Sequence, residues 1–218
     1  MGRLRGAAPG AAGEKETAMK IAIIGATGNV GRRLVDELER RGHEVTGIAR
    51  SRPADDPGVP LRLADANDPA ALATAIAGQD AVMLAGRFVS TNADAIVAAV
   101  KRAGVPRLLV VGGAGTLFAT PGVQLIDMGV IPEAFLPEVS AGRDFLEGLK
   151  RSDVDWTFLS PAASFVPGER TGRYRLGGDD LMRDASGDSR ISYEDLAMAL
   201  VDELEQPRHS RRRFSIAY

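Results

Sequence analysis

The chain contains no cysteine among its 218 residues. A disulfide framework, a thiolate metal site and a cysteine nucleophile are therefore excluded, and we expect no metal centre. Long apolar runs are also missing, since none approaches the roughly 18 residues that a membrane span requires. We therefore expect a cytoplasmic protein without membrane attachment.

An excess of charge of one sign is absent as well. The formal net charge is -2 and the isoelectric point is about 5.8, so this balance does not favour nucleic acid as a partner. The basic run at 211–213 is short and typical of a solvated face. A small-molecule substrate is the partner that we expect, and the sequence leaves the oligomeric state open.

The start of the chain, residues 1–18, combines charged and small side chains without the apolar segment of a signal peptide. We predict a disordered extension over 1–18 and a single domain over 19–218. With 44% hydrophobic residues, a chain of this length can bury a sizeable core.

Short apolar runs alternate with amphipathic stretches along the first half of the chain. The run "KIAII" at 20–24 ends at a glycine, and 31–41 carries apolar residues at helical spacing. This alternation predicts an α/β fold: a Rossmann-type doubly wound parallel sheet with a small C-terminal substrate-side extension. Further strands are predicted at 43–50, from 61, at 80–86 and at 106–113, and further helices at 69–78 and 94–104.

The second half of the chain is less regular. We predict a helix at 138–152, a buried strand at 153–161 and a closing strand at 211–218. The segments 169–178 and 181–192 alternate in polarity and are expected to form a turn-linked pair. Ser192 resembles the N-cap of a helix that begins at 193.

The turn after the first strand, "GATGNVG" at 25–31, carries three glycines at three-residue spacing. Gly25 permits the sharp turn, Gly28 lets a pyrophosphate approach the backbone, and Gly31 lets the helix pack closely on the strand. We therefore predict that 19–218 is one NAD(P)-binding Rossmann domain; a merely structural turn is the alternative. The other candidate contacts in the turn are Thr27, Asn29 and Val30.

The end of the second predicted strand indicates which dinucleotide is bound. NAD sites place an acidic residue about 20 residues past the glycines, whereas this chain has Arg50, Ser51 and Arg52 there. Two guanidinium groups suit a 2′-phosphate, which a carboxylate would repel. We therefore predict NADP(H) as the cofactor in preference to NAD(H); two solvated arginines are the alternative.

Small or polar residues also follow the third, fourth and fifth strands, where a ligand of an open α/β sheet lies. Asp65 is placed to accept a hydrogen bond from an adenine amino group, or else it forms a turn. The remaining candidates in these segments are Ala66, Ala85, Gly86, Arg87, Gly112 and Gly113.

Several segments carry a resemblance to a known family: "GATGNVG", "LADAND" at 63–68, "RLLVVGGAG" at 107–115, "DWTFLSP" at 155–161 and "SRISYEDLA" at 189–197. With them the chain resembles the atypical branch of the NAD(P)-binding short-chain dehydrogenase superfamily, near its epimerase/dehydratase-like, NmrA-like and flavin reductase-type members. The resemblance covers about 19–218 and includes the segment "GERTGRYRLGG". It implies that three residues lie near the nicotinamide: Ser160, Pro161 and Ala162.

The catalytic pair of that superfamily is missing. Typical members carry a Tyr and, four residues later, a Lys on one helix face, but no tyrosine of this chain is followed by Lys at that spacing. The remaining candidates for a proton donor are Arg87, Arg143 and Tyr174. Two functions stay open: an NADPH-dependent reductase of a conjugated acceptor such as a flavin or quinone, and a non-catalytic NADP(H)-binding sensor or regulatory module.

The apolar segment from Leu117 to Leu136 is the candidate cover of the nicotinamide. Its larger side chains either line a substrate pocket or fill an ordinary core under the loop, and the sequence does not decide between these. They are Phe118, Ile126, Met128, Ile131 and Phe135.

Overall fold

The computed structural model describes residues 18–52 and 58–218. Of the predicted disordered extension, residues 1–17 lie outside this part of the chain. The strands are β1 (Lys20–Ile24), β2 (Glu44–Ala49), β3 (Leu61–Leu63), β4 (Ala81–Leu84), β5 (Arg107–Val111), β6 (Phe118–Thr120), β7 (Val123–Gln124), β8 (Trp156–Ser160), β9 (Ser164–Val166), β10 (Arg175–Gly177), β11 (Arg190–Ser192) and β12 (Arg212–Ala217). The helices are α1 (Asn29–Arg40), α2 (Pro69–Ile76), α3 (Ala93–Ala103), α4 (Leu136–Arg151) and α5 (Tyr193–Glu205).

One sheet of eight strands organises the molecule, in the order β10-β12-β8-β5-β4-β1-β2-β3. All neighbours pair in parallel except β10 and β12 at one edge. From β1 the chain moves outward to β3, and from β4 it builds the other half of the sheet. This is the doubly wound Rossmann-type order, so the predicted fold is confirmed.

Helices cover both faces of this sheet. On one face Ile21 and Ile23 of β1 share a core with α1 and α5. On the other, Ala22 and Ile24 share a core with α2, α3 and α4. Because both faces are buried, the strands are apolar on both sides, which explains the continuous apolar run at 20–24. Within the described part of the chain, every helix is too short or too polar to traverse a bilayer.

The segments 169–178 and 181–192 do not pair with each other as predicted, because β10 pairs with β12 and β11 pairs with β9. The first segment is held instead by Asp195 of α5, which is fully buried. Its carboxylate accepts hydrogen bonds from the backbone N–H groups of Thr171 (2.8 Å) and Gly172 (2.9 Å). A buried charge needs such donors, so this segment lies against α5.

Glu37 of α1 holds the neighbouring part of the same segment. Its side chain is 3% exposed and accepts hydrogen bonds from the guanidinium groups of Arg170 (2.7 and 2.9 Å) and Arg41 (2.8 Å). Burial acts to raise the pKa of this carboxyl, but the hydrogen bonds from Arg170 and Arg41 outweigh it and hold the pKa below its ordinary value.

This lowered pKa of Glu37 makes the contribution of its ion pairs depend on pH. The contribution is complete above the unfolded-state pKa of about 4.3 and is lost as the pH falls through the lower folded-state pKa. We expect Glu37→Gln to lower the free energy of unfolding at pH 7 by about 1.5 kcal/mol, the low end for hydrogen bonds to charged groups. Urea unfolding of the parent and of Glu37→Gln across the acid range measures the difference in their free energies of unfolding. A difference that stays the same at the lowest pH would contradict this explanation.

Candidate functional site

The carboxyl ends of the parallel strands meet at one edge of the sheet, and the strand order reverses there between β1 and β4. The predicted cofactor residues all lie at this edge, which we call the carboxyl edge. Residues 25–31 follow β1, residues 50–52 follow β2, Asp65 and Ala66 follow β3, residues 85–87 follow β4, Gly112 and Gly113 follow β5, and Ser160 ends β8 with Pro161 and Ala162 directly after it. A crevice at such a reversal is where open α/β sheets bind ligands.

Two glycines of the turn after β1 are required by the fold itself. Gly25 has a φ of +89°, and a Cβ there would lie 2.8 Å from the carbonyl oxygen of Ala85. A Cβ on Gly31 would overlap the carbonyl oxygen of Gly25. These two residues therefore let the backbone turn sharply and let α1 pack against it, whether or not a ligand is present.

Gly28 is different, because the protein does not require a glycine there. It precedes α1 with φ -75° and ψ 171°, values that any residue adopts. A Cβ would meet only the carbonyl oxygens of Gly25 at 3.3 Å and Ala85 at 3.9 Å. The space that a side chain would fill thus faces the N-terminus of α1, whose first N–H groups lack helical partners. An open cradle of this kind fits a pyrophosphate.

The residues after β2 and β3 present polar groups beside this cradle. Arg50, Ser51 and Arg52 are exposed, and neither guanidinium forms an ion pair with a carboxylate of the described residues. Asp65 is exposed and accepts a hydrogen bond from the backbone N–H of Asn67 through Oδ1 (2.9 Å). Asp65 therefore stabilises the turn after β3, as the alternative prediction had it, and its second carboxylate oxygen is left for a ligand.

Asn67 is a positioning residue that the sequence analysis missed. Its amide nitrogen donates to the carbonyl oxygen of Ser90 (2.9 Å), and its amide oxygen accepts from the backbone N–H of Asn92 (2.8 Å). These bonds join the loop after β3 to the loop after β4, two segments of the carboxyl edge. The sequence gives no signal for this role, because both partners are backbone groups of a distant segment.

Glu138 of α4 is a second residue that sequence analysis missed. It lines a cavity of about 100 Å³ with Gly112 and Gly113, and its carboxylate accepts hydrogen bonds from the backbone N–H groups of Phe88 (2.8 Å) and Val89 (3.2 Å). Arg87 Nε lies 3.6 Å from the same carboxylate. Glu138 thus fixes the loop after β4 and holds Arg87 beside the ends of β4 and β5.

Ser160 ends β8 as a fully buried residue, and its hydroxyl has no hydrogen-bond partner within the described part of the chain. Pro161 is buried beside it, and so is Ala162. Buried hydroxyls are seldom left without a partner. The end of β8 thus holds one buried hydroxyl without a partner among the described residues.

Tyr174 does not belong to this site, which corrects its prediction as a proton donor. Its hydroxyl donates to Asp202 (2.8 Å), and Asp202 also binds Arg41, the residue that follows α1. Gly28 precedes the other end of α1. This helix is about 18 Å long at 1.5 Å per residue, and its length separates the Arg41–Asp202 pair from the glycine turn. Burial, and then the hydrogen bond to Asp202, raise the pKa of Tyr174 above the ordinary value for tyrosine.

Phe118 is set apart from the other predicted acceptor-pocket residues. Its strand, β6, bonds through the backbone of Phe118 to Asp179 and Leu181 (both 2.9 Å). Met128 and Phe135 are 43% and 62% exposed, while Ile126 and Ile131 are partly buried. Residues 125–135, which we call the apolar loop, therefore expose Met128 and Phe135 and partly bury Ile126 and Ile131.

Arg143, the third proton-donor candidate, lies on α4 beneath the apolar loop. Its guanidinium is 3.3 Å from the carboxylate of Asp127, which lies in that loop. Both side chains are substantially exposed. Arg143 therefore joins α4 to the apolar loop, whereas Arg87 lies at the ends of the strands.

The sheet order, the open cradle at Gly28 and the exposed arginines after β2 together define a Rossmann-type protein of the dinucleotide-binding class. The matching family model agrees: the chain belongs to the NAD(P)H-binding family, whose model matches residues 25–207.

Similar proteins span the whole domain. The uncharacterised protein YwnB of Bacillus subtilis is 40% identical over 210 residues, which are 91% of this chain and 98% of YwnB. A Bacteroides thetaiotaomicron structure with the provisional name epimerase is 42% identical, covers 93% of this chain and 98% of its own, and has a TM-score of 0.85. A Streptococcus pneumoniae structure with the provisional name NADH-flavin reductase is 35% identical, covers 92% and 99%, and has a TM-score of 0.77.

Proposed function

We propose that this chain is an NADPH-dependent reductase that delivers hydride to a conjugated small-molecule acceptor of the flavin or quinone class, without a Tyr–Lys pair. The observation that carries the proposal is an exposed apolar loop beside α4 in a chain of the NAD(P)H-binding family. The name of the Streptococcus pneumoniae relative supports the same acceptor class.

The residues of the carboxyl edge divide the work of holding the cofactor. The N-terminus of α1 above Gly28 binds the pyrophosphate, and Arg50 and Arg52 bind the 2′-phosphate. The end of β8, residues 160–162, would lie beside the nicotinamide and limit the orientation of its ring. When bound, NADPH supplies the hydride, so these residues contribute orientation and exclusion of water.

A conjugated acceptor explains how the reaction proceeds without a phenol donor. Reduction by hydride leaves one negative charge on the acceptor, and one proton completes the two-electron reduction. A flavin or quinone delocalises that charge, so water can supply the proton. Arg87, held by Glu138 and 76% exposed, stabilises the charge by hydrogen bonding and keeps its own proton, since arginine stays protonated in proteins.

The apolar loop is suited to the flat, apolar body of such an acceptor. Met128, Val130 and Phe135 are all exposed by 43% or more, and they lie in the segment that Arg143 joins to α4. Apolar groups clustered on a surface mark binding sites more often than isolated ones do. We assign this loop to the acceptor and the strand ends to the cofactor.

The experiment is NADPH consumption against a panel of acceptors: a free flavin, a quinone and, as the control, a simple ketone. We expect the flavin or the quinone to be reduced and the ketone to be left unreacted, because only the ketone needs a built-in proton donor. Rapid reduction of the ketone would contradict the proposal.

A second function rests on one observation, the absence of tyrosine from α4. Without that residue the same edge can serve a non-catalytic NADP(H)-binding module that reports the cofactor to a partner. Tight NADPH binding together with no turnover of any acceptor in the panel would favour this module.

Tyrosine variants test whether a proton donor has been overlooked. We expect Tyr174→Phe and Tyr193→Phe each to lower NADPH oxidation less than about tenfold, whereas loss of a true general acid costs about 10²- to 10⁴-fold. Tyr174 binds Asp202, and Tyr193 packs against Phe165 with ring centroids 4.5 Å apart. Turnover is compared at matched folded fractions; a loss in the larger range with the fold intact would identify the missing donor.

A further inference from the structure

A large concavity lies away from the carboxyl edge. It has a volume of about 1030 Å³, and its lining includes Trp156 and Arg212, the first residues of β8 and β12. We call it the basic cavity. Because it includes the amino ends of these strands, it is separate from the edge to which we assign the dinucleotide.

The lining of the basic cavity is strongly unbalanced in charge. It holds five lysine and arginine side chains against one carboxylate, that of Asp179, in a chain whose net charge is -2. That carboxylate is already bound to Arg213. A cleft lined by one sign of charge concentrates ligands of the opposite sign.

Two of these cations are free to bind a ligand. Arg208 and Arg212 are exposed. The guanidinium of Arg208 contacts only the side-chain oxygen of Gln206 (3.0 Å), and that of Arg212 has no partner among residues 18–52 and 58–218. Neither charge is neutralised by an ion pair within this part of the chain.

The lining of the basic cavity also includes a pair of stacked aromatic rings. The ring of His209 stacks on Phe214 with centroids 4.1 Å apart, and its Nδ1 lies 2.7 Å from the buried carboxylate of Glu203. Trp156 also borders the cavity and is 3% exposed.

We propose that the basic cavity is a second binding site, for a small molecule that carries phosphate. Arg208 and Arg212 bind the phosphate oxygens, since arginine forks match their geometry. The ring of His209, which stacks on buried Phe214, and the exposed side chain of Leu176 contact the uncharged part of the ligand. This site goes beyond the proposed reductase function and does not depend on it.

The test is calorimetric titration of the full chain with inorganic pyrophosphate, the probe, at one stated salt concentration. Binding is measured in the parent and in Gly28→Val, which removes the cradle at the carboxyl edge. In each background, Arg208→Ser/Arg212→Ser is compared with Arg102→Ser/Arg173→Ser. This control pair removes the same charge from exposed residues outside the cavity.

We expect one pyrophosphate site to remain in Gly28→Val. The cavity pair should weaken that site by about ten- to a hundredfold, the loss of charge-assisted hydrogen bonds, and the control pair should leave it within about twofold. Melting curves verify that each variant is folded. No site in the Gly28→Val background, or equal losses in the cavity and control pairs, would overturn the proposal.

Discussion

Replacing Gly28 with valine is expected to weaken NADPH binding by at least about a hundredfold, or about 2.7 kcal/mol, while the sheet stays folded. The branched side chain would occupy the space above the N-terminus of α1, where the pyrophosphate must approach the backbone. Within the protein the nearest atom to the new Cβ is the carbonyl oxygen of Gly25, 3.3 Å away. The backbone at Gly28 has a negative φ, and a shift of a few tenths of an ångström relieves this close contact, so we expect the fold to be retained.

Ala98→Val in α3 is the control for this variant. It places a branched side chain at an exposed position outside both the turn after β1 and the basic cavity. Calorimetric titration with NADPH and thermal unfolding of both variants separate lost binding from lost structure. If Gly28→Val binds NADPH as the parent does, Gly28 does not contact the cofactor.

The choice of cofactor should change when both arginines after β2 are removed. If Arg50 and Arg52 bind the 2′-phosphate, charge-assisted hydrogen bonds of roughly 1.5–3 kcal/mol favour NADPH over NADH by about ten- to more than a hundredfold. We expect Arg50→Ala/Arg52→Ala to abolish most of that preference. NADH should bind the variant and the parent about equally, because the glycine turn is untouched.

Dissociation constants for both cofactors, measured at one stated ionic strength, test this expectation. Arg102→Ala/Arg173→Ala serves as the control, since it removes the same charge from exposed residues elsewhere. A parent that binds NADH as tightly as NADPH would show that Arg50 and Arg52 are surface residues without a role in the choice of cofactor.

Much of the fold could be predicted because local patterns determine it. The run at 20–24 became β1 with the predicted bounds, and Ser192 caps α5 by accepting a hydrogen bond from the backbone N–H of Asp195 (3.0 Å). The pairing of 169–178 and 181–192 failed because Asp195, within α5, holds the first segment. No local pattern reveals that a helix residue binds the backbone of a distant loop.

The candidate site was predictable where its residues directly follow strands, because parallel strands bring their carboxyl ends together. Side chains that bind distant segments of the chain could not be predicted in this way. Glu138 binds the backbone of Phe88 and Val89, which lie 50 and 49 residues earlier in the chain. Tyr174 donates a hydrogen bond to Asp202 of α5, which also binds Arg41 after the end of α1. Both placements depend on how α4 and α5 pack, which spacing in the sequence does not encode.

Single-turnover oxidation of bound NADPH is the most direct test of a reductase without a tyrosine donor. The protein is saturated with NADPH, either ordinary or deuterated at the transferred position, and mixed with a flavin or a quinone. We predict oxidation that is slower with deuterium, absent in Gly28→Val, and retained in Tyr174→Phe and Tyr193→Phe. NADPH that stays bound and unoxidised with every acceptor would contradict the reductase and leave a binding module.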